Sequence, residues 1–207
     1  MSEKFCRIAE VLKSSTPYAT LTFSAENGTL SDSFAKAAEP EKAEIVVILG
    51  PSGVGKTYSA KQSAAALTGN AQKVITYVMA DLTEPWSVAR LIGVPPGYIG
   101  FKNNDRALTE QLLRDPFGVL VMDEFEKAHP MARDVIKGAL ANGFMPDVQG
   151  RKVSLKGMTV FIVSSLDKKS FIELMKDKEG KPLAVPYTIV EFSGEDQRAK
   201  KARSFNP

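Results

Sequence analysis

Gly50-Pro51-Ser52-Gly53-Val54-Gly55-Lys56-Thr57 fits the pattern G-x-x-x-x-G-K-[ST], and the chemistry open to that set of residues is the capture of a phosphate chain. Glycines let backbone N–H groups turn inward around phosphate oxygens, and a helix beginning at the loop adds its positive end. Lys56 reaches the β and γ phosphates of a nucleotide, and Thr57 offers a hydroxyl to Mg²⁺. The nucleotide-binding set is therefore Gly50, Pro51, Ser52, Gly53, Val54, Gly55, Lys56 and Thr57, with Tyr58 next on the helix. Val119-Leu120-Val121-Met122-Asp123-Glu124 carries the second set. Its apolar residues form a buried strand and two carboxylates emerge together at the end. Asp123 holds the Mg²⁺ shell with Thr57, and Glu124 polarises an attacking water. Glu124 and Lys56 are then the catalytic pair of a nucleotide hydrolysis, the first activating water and the second neutralising phosphate charge.

Such a site requires a strand before the loop, a helix after it, and a second strand that ends beside them. Ile45 to Leu49 precedes the loop and a helix rich in Ala and Lys, Lys56 to Leu67, follows it. Further apolar runs at Val74 to Val78, Val119 to Met122, Thr159 to Val163 and Tyr187 to Phe192 read as strands, and their continuous rather than alternating hydrophobicity suits a parallel sheet covered on both faces. Helical patterns fall at Trp86 to Leu91, Leu108 to Arg114, Met131 to Ala141 and Ser170 to Met175. Near the start, Phe5, Ile8, Ala9, Val11 and Leu12 have helical spacing that stops near Ser14 to Pro17. Asn27 to Lys42 is rich in Gly, Ser, Ala, Glu and Lys and reads as a linker. The expected organisation is an N-terminal helix and lead-in over 1–42, a nucleotide-hydrolysing domain over 43–193 and a basic tail over 194–207.

The composition closes several other routes. A net charge of +3 from 27 basic and 24 acidic side chains is too small an excess to argue for a nucleic-acid groove or a membrane surface. No aromatic-basic interleaving marks a strand-binding groove, so a nucleic-acid partner ranks last. Cys6 is the single cysteine and His129 the single histidine, which rules out an intrachain disulfide and a Cys/His zinc site. No run approaches a membrane span, and the expected location is the cytoplasm.

Three further stretches, Ala89 to Phe101, Met122 to Pro130 and Asp147 to Arg151, taken with the phosphate loop, resemble in order and spacing the second AAA+ ATPase domain of Clp-type protein unfoldases and disaggregases. The resemblance runs over roughly Ile45 to Ser165. It implies a three-layer α/β fold of the P-loop type, a parallel five-stranded sheet ordered 5-1-4-3-2 with helices on both faces. It also implies ATP and Mg²⁺ as ligands and a polypeptide or partner protein as the object of the work. Assembly into a homo-oligomeric ring, or with a fuller AAA+ subunit, follows from the same likeness. Gly97-Tyr98-Ile99-Gly100 is similar to the pore loop that grips polypeptide, so Tyr98 and Ile99 take that role by resemblance; as plain residues they form a Pro- and Gly-shaped turn. Asp147 to Arg151 resembles the family's second loop or is an ordinary hairpin turn. His129 resembles a position at a helix start or a subunit contact.

The chain also departs from the family pattern. Ser165 stands where the family has an asparagine that senses the γ-phosphate. The family's Phe-x-x-x-Asn-Arg stretch, which carries its arginine finger, has no match between Leu166 and Pro186; Arg90, Arg106, Arg114 and Arg133 are possible substitutes among which spacing does not choose. The Gly-Gln segment that helps hold adenine has no counterpart upstream, and the helical lid has none after Phe192. Two functions follow: an ATP hydrolase acting on polypeptides in a ring, slow without a partner, or a regulatory or structural module that binds Mg-ATP and turns it over little.

Overall fold

The computed structural model describes residues 3–15, 20–26, 43–69, 73–94, 107–116, 118–177, 179–182 and 185–193. Tyr98, Ile99 and Arg106, the linker 27–42 and the tail 194–207 lie outside them. In chain order the elements are α1 (Glu3–Ser15), β1 (Thr20–Glu26), β2 (Glu44–Leu49), α2 (Lys56–Thr68), β3 (Val74–Val78), α3 (Ala89–Ile92), α4 (Leu108–Arg114) and β4 (Val119–Asp123). They continue with α5 (Pro130–Asn142), β5 (Phe144–Pro146), β6 (Lys152–Ser154), β7 (Thr159–Ser164), α6 (Lys168–Leu174) and β8 (Tyr187–Ser193). Single 3-10 turns at Met79–Asp81, Pro85–Val88 and Phe125–Lys127 join strands to helices.

The main sheet has the order β1-β8-β2-β7-β4-β3, and every pairing is parallel except that of β1 with β8. Counting only the parallel strands, this is the order 5-1-4-3-2. Ile45, Val47 and Leu49 bury into one core layer with Leu120, Met122, Val160 and Ile162. Val46 and Ile48 bury into the other with Val119, Val121, Phe161 and Val163. Period-two side chains thus find cover on both faces, which is why these strands are apolar throughout. Ile136 and Leu140 of α5 and Phe171 of α6 belong to the first layer, while Ala60 and Ala64 of α2 and Ile8 and Leu12 of α1 belong to the second.

The five-stranded expectation needs one correction, because β1 adds a sixth strand from the lead-in. Its residues Thr20-Leu21-Thr22-Phe23 alternate with period two, and Leu21 and Phe23 pack on the α1–α2 layer. An antiparallel edge strand needs only one apolar face, so its signal is weaker than that of the interior strands. The expected helix from Trp86 to Leu91 divides into a 3-10 turn led by Pro85 and the short α3. β5 and β6 form a separate antiparallel hairpin around Asp147 to Arg151. Among the described residues no helix is long and apolar enough to cross a membrane.

Candidate active site

Leu49 at the end of β2 pairs with Ser164 of β7 and Glu191 of β8, so the loop that follows leaves the sheet where parallel strands end together. The turn demands glycine. Gly50 has φ 141°, and a Cβ there would stand 2.4 Å from the Phe192 carbonyl oxygen. Gly53 and Gly55 also take positive φ, 85° and 99°, and Gly55 starts α2. Val54 is buried below the loop, whereas Pro51 and Ser52 face out. The Lys56 side chain folds back under it and its Nζ donates to the Gly50 and Pro51 carbonyls, both at 2.7 Å.

Thr57, one position on, donates from Oγ1 to Asp123 Oδ1 at 2.9 Å, and the same oxygen accepts from the Glu124 amide at 3.0 Å. Glu124 is the one non-glycine with positive φ among the described residues, at 55°, and Lys127 forms an ion pair with its carboxylate. Phe125 anchors that turn, fully buried against Phe171 with ring centroids 6.4 Å apart. Ser165, just past β7, meets Ser52 hydroxyl to hydroxyl at 3.3 Å. The structure therefore gathers Ser52, Lys56, Thr57, Asp123, Glu124 and Ser165 at one end of the sheet. Tyr58, the next residue on α2, is 59% exposed.

The model of the family described as AAA domain (Cdc48 subfamily) matches residues 41–204. The chain belongs to this family. Among relatives, it is 42% identical over 131 residues to the chaperone protein ClpB of Mycoplasma genitalium, a match covering 63% of this chain and 18% of that one. It is 41% identical over 119 residues to the ATP-dependent Clp protease ATP-binding subunit ClpE of Lactococcus lactis, covering 58% and 16%. A match to ClpB4, mitochondrial, of Arabidopsis thaliana is 37% identical over 145 residues, covering 70% and 15%. The matched segment is thus between 15% and 18% of the length of these relatives.

Electrostatics in this AAA domain converge on Lys56. Burial pushes its ammonium below the ordinary value, and Glu126, then Asp123 and Glu124, pull it back up. Glu126, which the sequence reading did not single out for the site, stands among these groups. Its Oε1 accepts from the Ser165 amide at 3.0 Å, while its Oε2 is buried without a hydrogen-bond partner among the described residues. The available signal was the cluster Asp123-Glu124-Phe125-Glu126, three carboxylates within one strand end. The loop glycines, the buried lysine and the joined Thr57 and Asp123 fit a nucleotide with Mg²⁺. Both of those oxygen donors are of the hard type that Mg²⁺ takes.

Outside that cluster, the AAA domain uses the other singled-out residues structurally. His129 Nδ1 accepts from the Met131 amide at 3.2 Å and caps α5, while its own amide donates to the Leu82 carbonyl at 2.6 Å. Asp147 closes the β5–β6 turn, accepting from the Gln149 and Arg151 amides at 2.9 and 2.7 Å and from the Arg151 guanidinium. Arg151 continues to Glu110 on α4. Arg133 donates to the Glu126 carbonyl at 2.7 Å, and Arg90 lies 3.7 Å from Asp81.

Proposed function

We propose that this AAA domain binds Mg-ATP and hydrolyses it to act on polypeptides as part of a ring assembly. The observation that carries the reading is the Thr57–Asp123 hydrogen bond at 2.9 Å. It joins the phosphate loop to the acidic strand end across two separate strands, where a nucleotide hydrolase needs them joined. On this reading Lys56 exchanges the Gly50 and Pro51 carbonyls for phosphate oxygens, a stronger, charge-assisted partnership. Thr57 and Asp123 are the residues that would hold Mg²⁺, which when bound spreads the charge of the transferring phosphoryl group. Glu124 leaves Lys127 and takes a proton from the attacking water. Tyr98 and Ile99 would grip the polypeptide.

A second reading, a nucleotide-dependent regulatory or structural module with little turnover, draws on one observation. Ser165 replaces the asparagine of the resembling pattern, and its short hydroxyl is already shared with Ser52. The two readings separate in one experiment: ATPase turnover of wild type, Lys56→Ala and Glu124→Gln over a concentration series, with mass by light scattering. Lys56→Ala is expected to abolish nucleotide binding. Glu124→Gln is expected to bind ATP and to lose turnover by at least about 10²-fold, the scale of removing a general base. Turnover that rises with assembly supports the ring hydrolase; a monomer that binds ATP and barely hydrolyses it supports the module. ATP held as tightly by Lys56→Ala as by wild type sinks both. Polypeptide remodelling that survives Tyr98→Ala would reject the gripping role.

A further inference from the structure

The main sheet ends in β1 on one side and in β3 on the other, and among the described residues no strand lies beyond β1. Natural sheets blunt such an edge with a Pro, a Lys, a bulge or a very short strand. β1 carries none of these. Its seven residues, Thr20-Leu21-Thr22-Phe23-Ser24-Ala25-Glu26, hold a single charge at the last position. They pair one for one with β8, from Thr20 with Ser193 to Glu26 with Tyr187, with no residue bulged out of register. Lys168 of α6 donates to Ser24 Oγ at 3.1 Å, which ties the strand to the body of the domain. Leu21 and Phe23 pack on the layer of α1 and α2 and stay only partly buried. The family match begins at residue 41, so this edge is built from residues outside it.

We propose that the outer edge of β1 is the docking surface for a second copy of this chain, the two β1 strands pairing antiparallel about a two-fold axis at Phe23. The occupant follows from the strand's own sequence. Residues directly opposite in an antiparallel pair share a face of the sheet. Because side chains alternate with period two, β1 sets apolar against apolar residues of its own copy only where the two residue numbers have an even sum. The even register that engages the whole strand places Phe23 opposite Phe23, Leu21 opposite Ala25, Thr22 opposite Ser24 and Thr20 opposite Glu26. No charge then meets its like, since each Glu26 falls opposite a threonine. The two α1–α2 layers come to lie on the same face of the joined sheet. Leu21 and Phe23 of both copies line the seam between those layers, which covers side chains that one copy leaves partly exposed. Such a contact is isologous, and every pair away from the axis occurs twice.

The doubled Thr20–Glu26 pair supplies the test. Within one copy these residues stand at opposite ends of β1, roughly 20 Å apart at the usual rise of a strand, so a charge placed at residue 20 meets Glu26 only across the dimer. Sedimentation equilibrium of the full chain is run over a concentration series without nucleotide, which keeps the result independent of the ATP-binding reading. Wild type is expected to pass from monomer to dimer. Thr20→Lys sets an ammonium opposite each Glu26 and is expected to tighten the dimer, and Thr20→Glu sets a carboxylate there and is expected to weaken it. Each shift is about two- to thirtyfold in the dissociation constant, the weight of two cross-strand charge pairs. Thr20→Glu combined with Glu26→Lys makes opposite charges meet again and is expected to reverse the loss. Neither the tightening nor the reversal can come from damaged folding. A monomer at every concentration overturns the proposal. So does a dissociation constant that ignores these charges, or one that Thr20→Lys and Thr20→Glu move in the same direction. Assembly through other contacts, a ring included, would give a mass insensitive to the Thr20 series and overturns it equally.

Discussion

At Glu124 the backbone holds φ 55° and ψ 45°, a left-handed conformation that costs a residue with a Cβ about 1–2 kcal/mol. Strain of this kind is retained where geometry matters more than stability, and here it falls in the turn between Asp123 and the buried Phe125. A comparison of Glu124→Gly with Glu124→Ala isolates it, since both lack the carboxylate and only alanine keeps the Cβ. The glycine variant is expected to be the more stable by about 1 kcal/mol in urea unfolding. The ion pair with Lys127 is half-exposed and contributes little to stability. Its effect falls instead on Lys127, whose ammonium is held above its ordinary value by the hydrogen bond to Glu124. Asp123 and Glu124 were legible in the sequence because two carboxylates ending an apolar strand have a recognisable chemistry. The strain at Glu124 was not, because no residue type there demands it, and although the acidic cluster marked Glu126, its bond to the Ser165 amide depends on where β7 ends relative to β4.

The elements that position these residues depend on a few backbone details. Gly50→Ala brings a Cβ to 2.4 Å from the Phe192 carbonyl at φ 141°, and is expected to cost at least about 2 kcal/mol, measured as a lowered urea midpoint. The β5–β6 hairpin depends on Asp147. Burial alone would raise its carboxyl, but the Arg151 guanidinium and the Arg151 and Gln149 amides outweigh that and hold it below the ordinary value. A carboxyl lowered in the folded state stabilises above the unfolded pKa, about 3.9, and that contribution is lost as pH falls through the folded value. Asp147→Asn is therefore expected to cost about 1–3 kcal/mol at pH 7, with the gap to wild type closing as unfolding is repeated toward pH 3. The interior strands were legible in their continuous apolar runs. The hairpin at Asp147 to Arg151 was one of two readings open in the sequence, since β5 and β6 are three residues each and the side chain that shapes their turn is known only once its partners are. β1 carried a readable alternation, but no residue within it says that β8 would lie alongside.

Across the whole molecule, the two core layers are built differently. One collects α3 to α6 and the hairpin, while the other depends on α2 and on α1, which is sequence-distant from the parallel strands of that layer. Leu12 of α1 is fully buried in the second layer, so Leu12→Ala is expected to cost about 2–5 kcal/mol. Nucleotide affinity of the folded fraction should stay unchanged, because Leu12 lies in the core layer and not among the polar residues gathered at the phosphate loop. Calorimetric unfolding with and without ATP checks both: the midpoint falls, while the rise given by saturating nucleotide persists. Loss of that rise would show that α1 shapes the loop as well as covering the sheet. The sheet order has a further consequence on the ribosome. β2, which leads into the phosphate loop, is made first among the parallel strands, yet its neighbours β7 and β8 are made last. The nascent chain must carry an apolar strand and an unformed loop until β7 and β8 have been made, so nucleotide cannot assist folding before then. Contacts of such long sequence separation fold slowly and leave unpaired strands open to aggregation. A domain related to chaperones would then be, while it is being made, a client for one.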